Sequence, residues 1–199
     1  MPTFGYTLRM LSEKQFRERA TVELREIGKQ VAGLATDRDL YRKLEHDLIA
    51  QNPRLQNSRN PFLDMFRGAY TDSMAIRVVR LTDADNMVGP TLGRLLAQIG
   101  EYPQLLHDKV GDREFANDCK ALKRTGESLR EAWDPSFSPR ERTPSALAAT
   151  HRALDEAIDT MVTTLKTYYW VVAEAHLDLE PSYAEDPLGI FRFPWIERE

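Results

Sequence analysis

The sequence holds a single cysteine, Cys119, among 199 residues. A lone thiol excludes any disulfide within the chain, and a cysteine-based zinc site needs more sulfur than this. No apolar run approaches the roughly 18 residues that a membrane span requires. The most apolar window, residues 168–175, is interrupted by Glu174 and closed by His176 and Asp178. Glycine (10) and proline (11) are too few for a fibrous or low-complexity chain. A basic excess is also missing. Lys plus Arg number 27 against 31 Asp plus Glu, a net charge of −4, which excludes holding nucleic acid by bulk charge alone. No H-E-x-x-H, G-x-S-x-G, G-x-x-x-x-G-K-[ST] or G-x-G-x-x-G is present. Zincins, nucleophile-elbow hydrolases, P-loop enzymes and classical dinucleotide binders are therefore not expected.

What is present fits one helical domain. The length suits a single core with no need of staples. Residues 1–10 carry one Arg and no apolar core of a signal peptide, so a cytoplasmic protein without membrane attachment is expected. The charge is polarised along the chain. Residues 1–140 hold 22 basic and 20 acidic side chains, whereas residues 141–199 hold 5 and 11. The first part is thus free to approach a polyanion, and the negative excess belongs to the last third.

Apolar periodicity predicts helices throughout and competes with no strand-like alternation. Residues 12–50 open on a Ser12–Gln15 capping box and carry Phe16, Ala20, Leu24, Ile27, Val31 and Leu34 as one stripe. Asp37 offers a restart before Leu40, Leu44 and Leu48, and Pro53 ends the run. Asn60-Pro61 predicts the next start, followed by an apolar-rich helix to Thr82 with Phe62, Met65, Phe66, Ala69, Ile76, Val79 and Leu81. The Asp83-Ala84-Asp85-Asn86 stretch has turn chemistry. Gly89-Pro90 is expected to open a helix ending at Gly100, and Asp112 to cap one ending before Trp133. A proline-punctuated loop, residues 134–144, carries Arg140 and Arg142. Thr143-Pro144 begins the last long helix, with Leu147, His151, Leu154, Ile158, Met161, Leu165, Tyr168 or Tyr169, and Val172 facing inward. Pro181, Pro187 and Pro194 make residues 181–199 an irregular tail. Its Phe191, Phe193, Trp195 and Ile196 are expected to pack on the bundle or on a partner. The expected organisation is therefore one domain over 1–180 plus the tail 181–199.

Few residue clusters carry chemistry. His151, Asp155 and Asp159 recur at four-residue steps, so one helix face could offer a nitrogen and two oxygens to a divalent metal. A surface pair with nearby carboxylates is the simpler expectation, and no metal or other cofactor is assigned. Glu45, His46 and Asp47 are consecutive and diverge around a helix. Asp83, Asp85 and Asn86 begin like a calcium loop, but Arg94 stands where the closing Glu should be. Cys119 lies in an apolar-periodic helix and reads as a structural thiol. Arg77 and Arg80 sit near the end of an apolar-rich helix, with Asp83 three positions after Arg80. They predict an internal salt bridge or, alternatively, an Arg-lined phosphate pocket.

The stretch Ala75-Ile76-Arg77-Val78-Val79-Arg80-Leu81-Thr82-Asp83, followed by Thr91-Leu92-Gly93-Arg94-Leu95-Leu96, resembles the abortive-infection U-type group of HEPN domains. The Trp133-Asp134 pair, the Arg-bearing loop, the Leu154–Asp159 segment and Tyr168-Tyr169 fit the same layout. The resemblance implies an all-α, HEPN-like bundle of four to six helices that forms a homodimer. It also implies a bacterial toxin–antitoxin or antiphage defence setting, with RNA as substrate and a cognate antitoxin as partner. Active members are metal-independent ribonucleases with an R-x(4–6)-H motif. There the Arg holds the scissile phosphate, and the His is general acid or base on the ribose 2′-hydroxyl.

This chain departs from that motif. No Arg is followed by His with four to six residues between; the spacings are eight for Arg142 and His151, seven for Arg38 and His46, and three for Arg42 and His46. The resemblance carries the phosphate-binding role onto Arg140 or Arg142 only, with His151 as the candidate acid or base. Two expectations follow: a ribonuclease or its catalytically degenerate relative, and a non-catalytic module for dimerisation or protein binding that uses the aromatic tail.

Overall fold

The computed structural model describes residues 11–52, 60–86, 88–106, 109–133 and 144–179. Arg140, Arg142 and the aromatic tail residues lie outside them. The described residues form five α-helices and no strand: α1 (Glu13–Lys43), α2 (Pro61–Thr82), α3 (Leu92–Gly100), α4 (Asp112–Ala132) and α5 (Pro144–Ala173). The all-α class read from periodicity is what the chain adopts. None of these helices is long and apolar enough to cross a membrane.

Local chemistry explains the helix starts. Ser12 accepts the Gln15 amide at 3.3 Å while the Gln15 side chain accepts the Ser12 amide at 3.1 Å, the reciprocal capping box. Asn60 caps α2 through the Phe62 amide, with Pro61 in its first turn. Two expected starts shift by a residue or two. Thr91 caps α3 by accepting the Arg94 amide, leaving Gly89-Pro90 outside the helix. Gly111 stands at the start of α4, which makes Asp112 its first helical residue, where the carboxylate favours the positive end of the helix.

No restart occurs at Asp37. Helix α1 runs through it because the Asp37 carboxylate pairs with Arg77 across the bundle instead of capping its own backbone. Only after Lys43 does the hydrogen bonding loosen, to a π-helical stretch, Leu44–Ile49, closed by the Ala50 amide on the Glu45 carbonyl at 2.8 Å.

Helices α1, α2, α4 and α5 pack around one core. Helices α1 and α5 are antiparallel: Arg17 reaches the Val172 carbonyl at 3.0 Å at one end, and Arg38 meets Asp159 at 2.7 Å towards the other. Helices α4 and α5 are also antiparallel, with Tyr168 on Asp118 and Thr150 on the Ala132 carbonyl. The predicted stripe of α1 is buried, as are Leu154, Ile158, Met161, Leu165, Val172 and both Tyr168 and Tyr169 of α5. In α2 the inward residues are Leu63, Met74, Ala75, Val78 and Leu81, whereas Phe62, Met65 and Ile76 face outward.

The C-terminal end of α5 is closed by two cations. Lys109 Nζ and Arg17 Nη1 donate to the Val171 and Val172 carbonyls, which no helical amide reaches. Glu174 then takes a left-handed conformation, φ 54°, and the chain turns back. A methyl group on Gly28 would stand 3.0 Å from Leu177, so the absent side chain of Gly28 makes room for the returning strand of chain.

Candidate functional site

His151 lies at the junction of α1, α2 and α5. Its Nε2 is 2.8 Å from Thr71 Oγ1, and Thr71 Oγ1 is 2.8 Å from the Arg67 carbonyl. A hydroxyl has one proton, and the carbonyl can only accept. With Thr71 donating to the carbonyl, Nε2 of His151 is left as the donor, which places a proton on Nε2. Burial pushes the His151 pKa below its ordinary 6.5; Asp155 and Glu45 oppose that shift, and Arg67 adds to it.

Two tyrosine rings wall the imidazole. Tyr41 and Tyr70 stack with centroids 3.9 Å apart, and each meets His151 edge-on, at 5.3 and 5.9 Å. Burial raises both phenol pKa values well above the ordinary 10.0. The Tyr41 hydroxyl donates to Glu45 at 3.1 Å, and Arg67 grips the same carboxylate with a fork at 2.7 and 2.9 Å. Burial acts to raise the Glu45 pKa, but the bonds and charge of Arg67 outweigh it, and the carboxyl lies below its ordinary 4.5. On the α1–α5 seam Arg42 pairs with Asp155 at 2.8 Å and Arg38 with Asp159 at 2.7 Å.

This arrangement removes the metal site considered for His151, Asp155 and Asp159. The two carboxylates go to guanidinium groups of α1 and the imidazole goes to Thr71, so the three do not converge. Among the described residues no group of three His, Cys, Asp or Glu side chains is placed to hold a metal. Around His151, Arg38, Arg42 and Arg67 are matched one for one by Asp159, Asp155 and Glu45. A cavity of about 70 Å³ remains, lined by Arg38, Tyr41, Arg42, Tyr70, His151, Leu154 and Asp155. At about 30 Å³ per water it holds roughly two waters or one phosphoryl-sized group.

Arg77, Arg80 and Asp83 do not share a pocket. Arg77 bonds Asp37, Arg80 reaches the Gln30 amide oxygen at 3.3 Å, and Asp83 pairs with Arg130 at 2.8 Å. The expected Arg80–Asp83 bridge is absent because Asp83 leaves the helix in extended conformation. It spends one oxygen on the Asp85 amide and the other on α4. Arg77 and Arg80 instead tie α2 to α1. Asp83 borders a larger cleft, about 560 Å³, whose lining includes Leu96, Cys119, Leu122, Lys123, Glu127 and Arg130. Size and chemistry point to different places. The large cleft has no histidine, and burial pushes its half-buried Cys119 thiol up, away from the reactive thiolate. The small cavity has the imidazole.

Of the residues singled out in the sequence, His151 and Asp155 line this cavity, and Asp159 and Glu45 pair with the arginines around it. Of the other histidines, His46 turns to Asp47 at 2.8 Å on the exposed surface and His176 is exposed. Tyr41, Arg67 and Tyr70 were not legible as site residues, and Glu45 was considered only with His46 and Asp47. Arg38 and Arg42 carried one usable signal: their four-residue step equals that of Asp155 and Asp159, as antiparallel helices require for two successive ion pairs.

Comparison with family models, curated proteins and solved structures yields no match.

Proposed function

We propose that this chain is a HEPN-like helical bundle of a bacterial defence or toxin–antitoxin system that works by binding, as a catalytically degenerate relative of the ribonucleases. The observation that carries this reading is the neutralised state of the His151 junction. Each of its three guanidinium groups already holds a carboxylate, and Nε2 of His151 is engaged with Thr71, which leaves only Nδ1 for proton transfer. A phosphate clamp needs a cation free to meet the anion, and a general base needs a lone pair aimed at its substrate. The departure of the sequence from R-x(4–6)-H supports the same reading. A homodimer and a cognate antitoxin are the partners it calls for.

The second reading is a metal-independent ribonuclease. It draws on the cavity where Arg38, Arg42 and His151 meet, large enough for one phosphoryl group. In it Arg140 or Arg142 supplies the phosphate contact and His151 the proton transfer.

Incubation of the purified chain with total RNA, beside Arg142→Ala and His151→Ala, separates the two. Intact RNA in all three reactions is expected. Cleavage by the wild type that both substitutions abolish overturns the binding reading in favour of the nuclease.

A further inference from the structure

The cleft of about 560 Å³ lies between α3, α4 and the loop that follows α2, and it shares no lining residue with the cavity at His151. Its volume is in the range of small-molecule sites. Its two helical walls run antiparallel: Gly100 of α3 stands against Phe115 of α4 at one end, and Gly93 and Gly126 both stand against Thr82 at the other. The apolar half is built from Leu96, Ala97, Cys119 and Leu122, with Leu96 and Leu122 buried. The polar half is the loop. There Asp83 bonds Arg130 at 2.8 Å and the Asp85 amide at 2.9 Å, which brings Asp85 to the Arg130 end of the cleft. Cys119 and Arg130 are eleven residues apart on α4, so the two halves together are roughly 16 Å long.

Three carboxylates and two cations line this cleft. Both cations are engaged, Arg130 with Asp83 at 2.8 Å and Lys123 with Glu127 at 3.8 Å. The Asp85 carboxylate has no partner among the described residues; only its backbone amide is bonded. An anionic ligand would therefore have to break an existing pair, whereas a cationic one completes the set. A carboxylate at the mouth of a partly apolar cleft attracts a cation more strongly than it does in open water.

We propose that this cleft is a binding site for a small organic ammonium ion whose body is one or two apolar rings. The ammonium group meets Asp85, and the rings lie on Leu96, Ala97 and Leu122. The apolar half selects rings over a bare inorganic cation, which would leave that surface wet. An occupant of this kind bridges the loop to α3 and α4, so it stabilises the folded chain by mass action. Neither reading of the His151 junction uses this cleft, and its ligand goes beyond both.

Cys119 is the single cysteine of the chain and lines the apolar half, so its alkylation by iodoacetamide reports occupancy. The probes are tryptamine and indole-3-propanoate, one ring system with opposite charges, added to the full chain. At about 5 mM, tryptamine is expected to slow alkylation at least about three-fold, and indole-3-propanoate to leave it nearly unchanged. Asp85→Asn, at an exposed position with no partner to lose, is expected to remove the difference between the probes. Ala97→Phe, also at an exposed position, fills the apolar half and is expected to abolish the effect of tryptamine. Helical circular dichroism is expected to be unchanged in both variants. No slowing by tryptamine overturns the proposal, and so does equal slowing by both probes. A preference that survives Asp85→Asn, or protection that survives Ala97→Phe, overturns it as well. Faster alkylation on removal of residues 181–199, with the helical signal intact, overturns it too, and assigns the cleft to that segment. None of these outcomes touches the binding reading, which falls only to RNA cleavage dependent on His151 and Arg142.

Discussion

His151 donates from Nε2 to the hydroxyl of Thr71, eighty positions earlier in the chain, across 2.8 Å. The direction of that bond is fixed by the Arg67 carbonyl, which takes the one Thr71 proton. The junction is built around an imidazole that carries a proton on Nε2 and that burial holds toward the neutral form, and it is surrounded by charges that cancel in pairs.

That neutral state links stability to pH. The folded-state pKa of His151 is depressed below 6.5, chiefly by burial. Above pH 6.5 the folded and unfolded chains are both neutral at this residue, and its contribution is fully present. As the pH falls below 6.5 the unfolded chain takes up the proton first, so stability is lost until the folded-state value has been passed. Glu45 adds a separate loss below its ordinary 4.5. Thermal melts between about pH 7.5 and about pH 5.5 are expected to show a falling midpoint for the wild type and a flatter one for His151→Gln. Parallel slopes for the two proteins would refute the assignment.

Arg67 and Glu45 should behave as a coupled unit. Their side chains are 31% and 27% exposed, so each is partly desolvated and partly screened. Arg67→Met or Glu45→Gln alone leaves the other group without its partner, at a cost of about 1–3 kcal/mol after allowing for that exposure. The double variant is expected to lose less than the sum, by about 1 kcal/mol, because no orphaned charge remains. Denaturant unfolding of the four proteins measures this, and strict additivity would mean the pair contributes nothing.

Thr82 is wedged between two glycines. A Cβ on Gly126 would overlap the Thr82 hydroxyl oxygen, and a Cβ on Gly93 would overlap the Thr82 backbone carbonyl. Gly126→Ala and Gly93→Ala should each destabilise by about 1–3 kcal/mol despite the better helix propensity of alanine. Introduced into Thr82→Ala, Gly126→Ala should cost less, since the obstructing hydroxyl is gone, while Gly93→Ala should cost the same. Equal relief of both would show that the obstruction lies elsewhere.

Helix α1 shows how far local sequence reaches. Its capping box and its stripe from Phe16 to Leu34 were readable, because a cap involves four consecutive residues and a buried stripe needs only a period, whereas its passage at Lys43 into a π-helical stretch was not. Asp37 was misread for the complementary reason. An aspartate caps a helix when its own backbone is the best available donor, and here Arg77, forty positions later, displaces it. Arg80 and Asp83 were misread likewise: three-residue spacing permits a bridge, but Asp83 had already left the helical path, and Arg130 of α4 stood opposite.

The candidate site followed the same division. His151 could be singled out because histidine is rare in this chain and lies on the inward side of a long amphipathic helix. Tyr41, Tyr70 and Arg67 could not, because tyrosine and arginine with those spacings occur on any helix surface.

By itself the sequence determined that the chain is all-α, where most of its helices begin, and which side of α1 and α5 is buried. These follow from capping and from a 3.6-residue period, both local properties. The tertiary structure decided the partners: Arg38 with Asp159, Arg42 with Asp155, Arg67 with Glu45, and Thr71 with His151. It also decided that Phe62, Met65 and Ile76 of α2 point outward. Both depend on the register and rotation of one helix against another. Register and rotation are set by the packing of the whole core, which no short window of sequence contains.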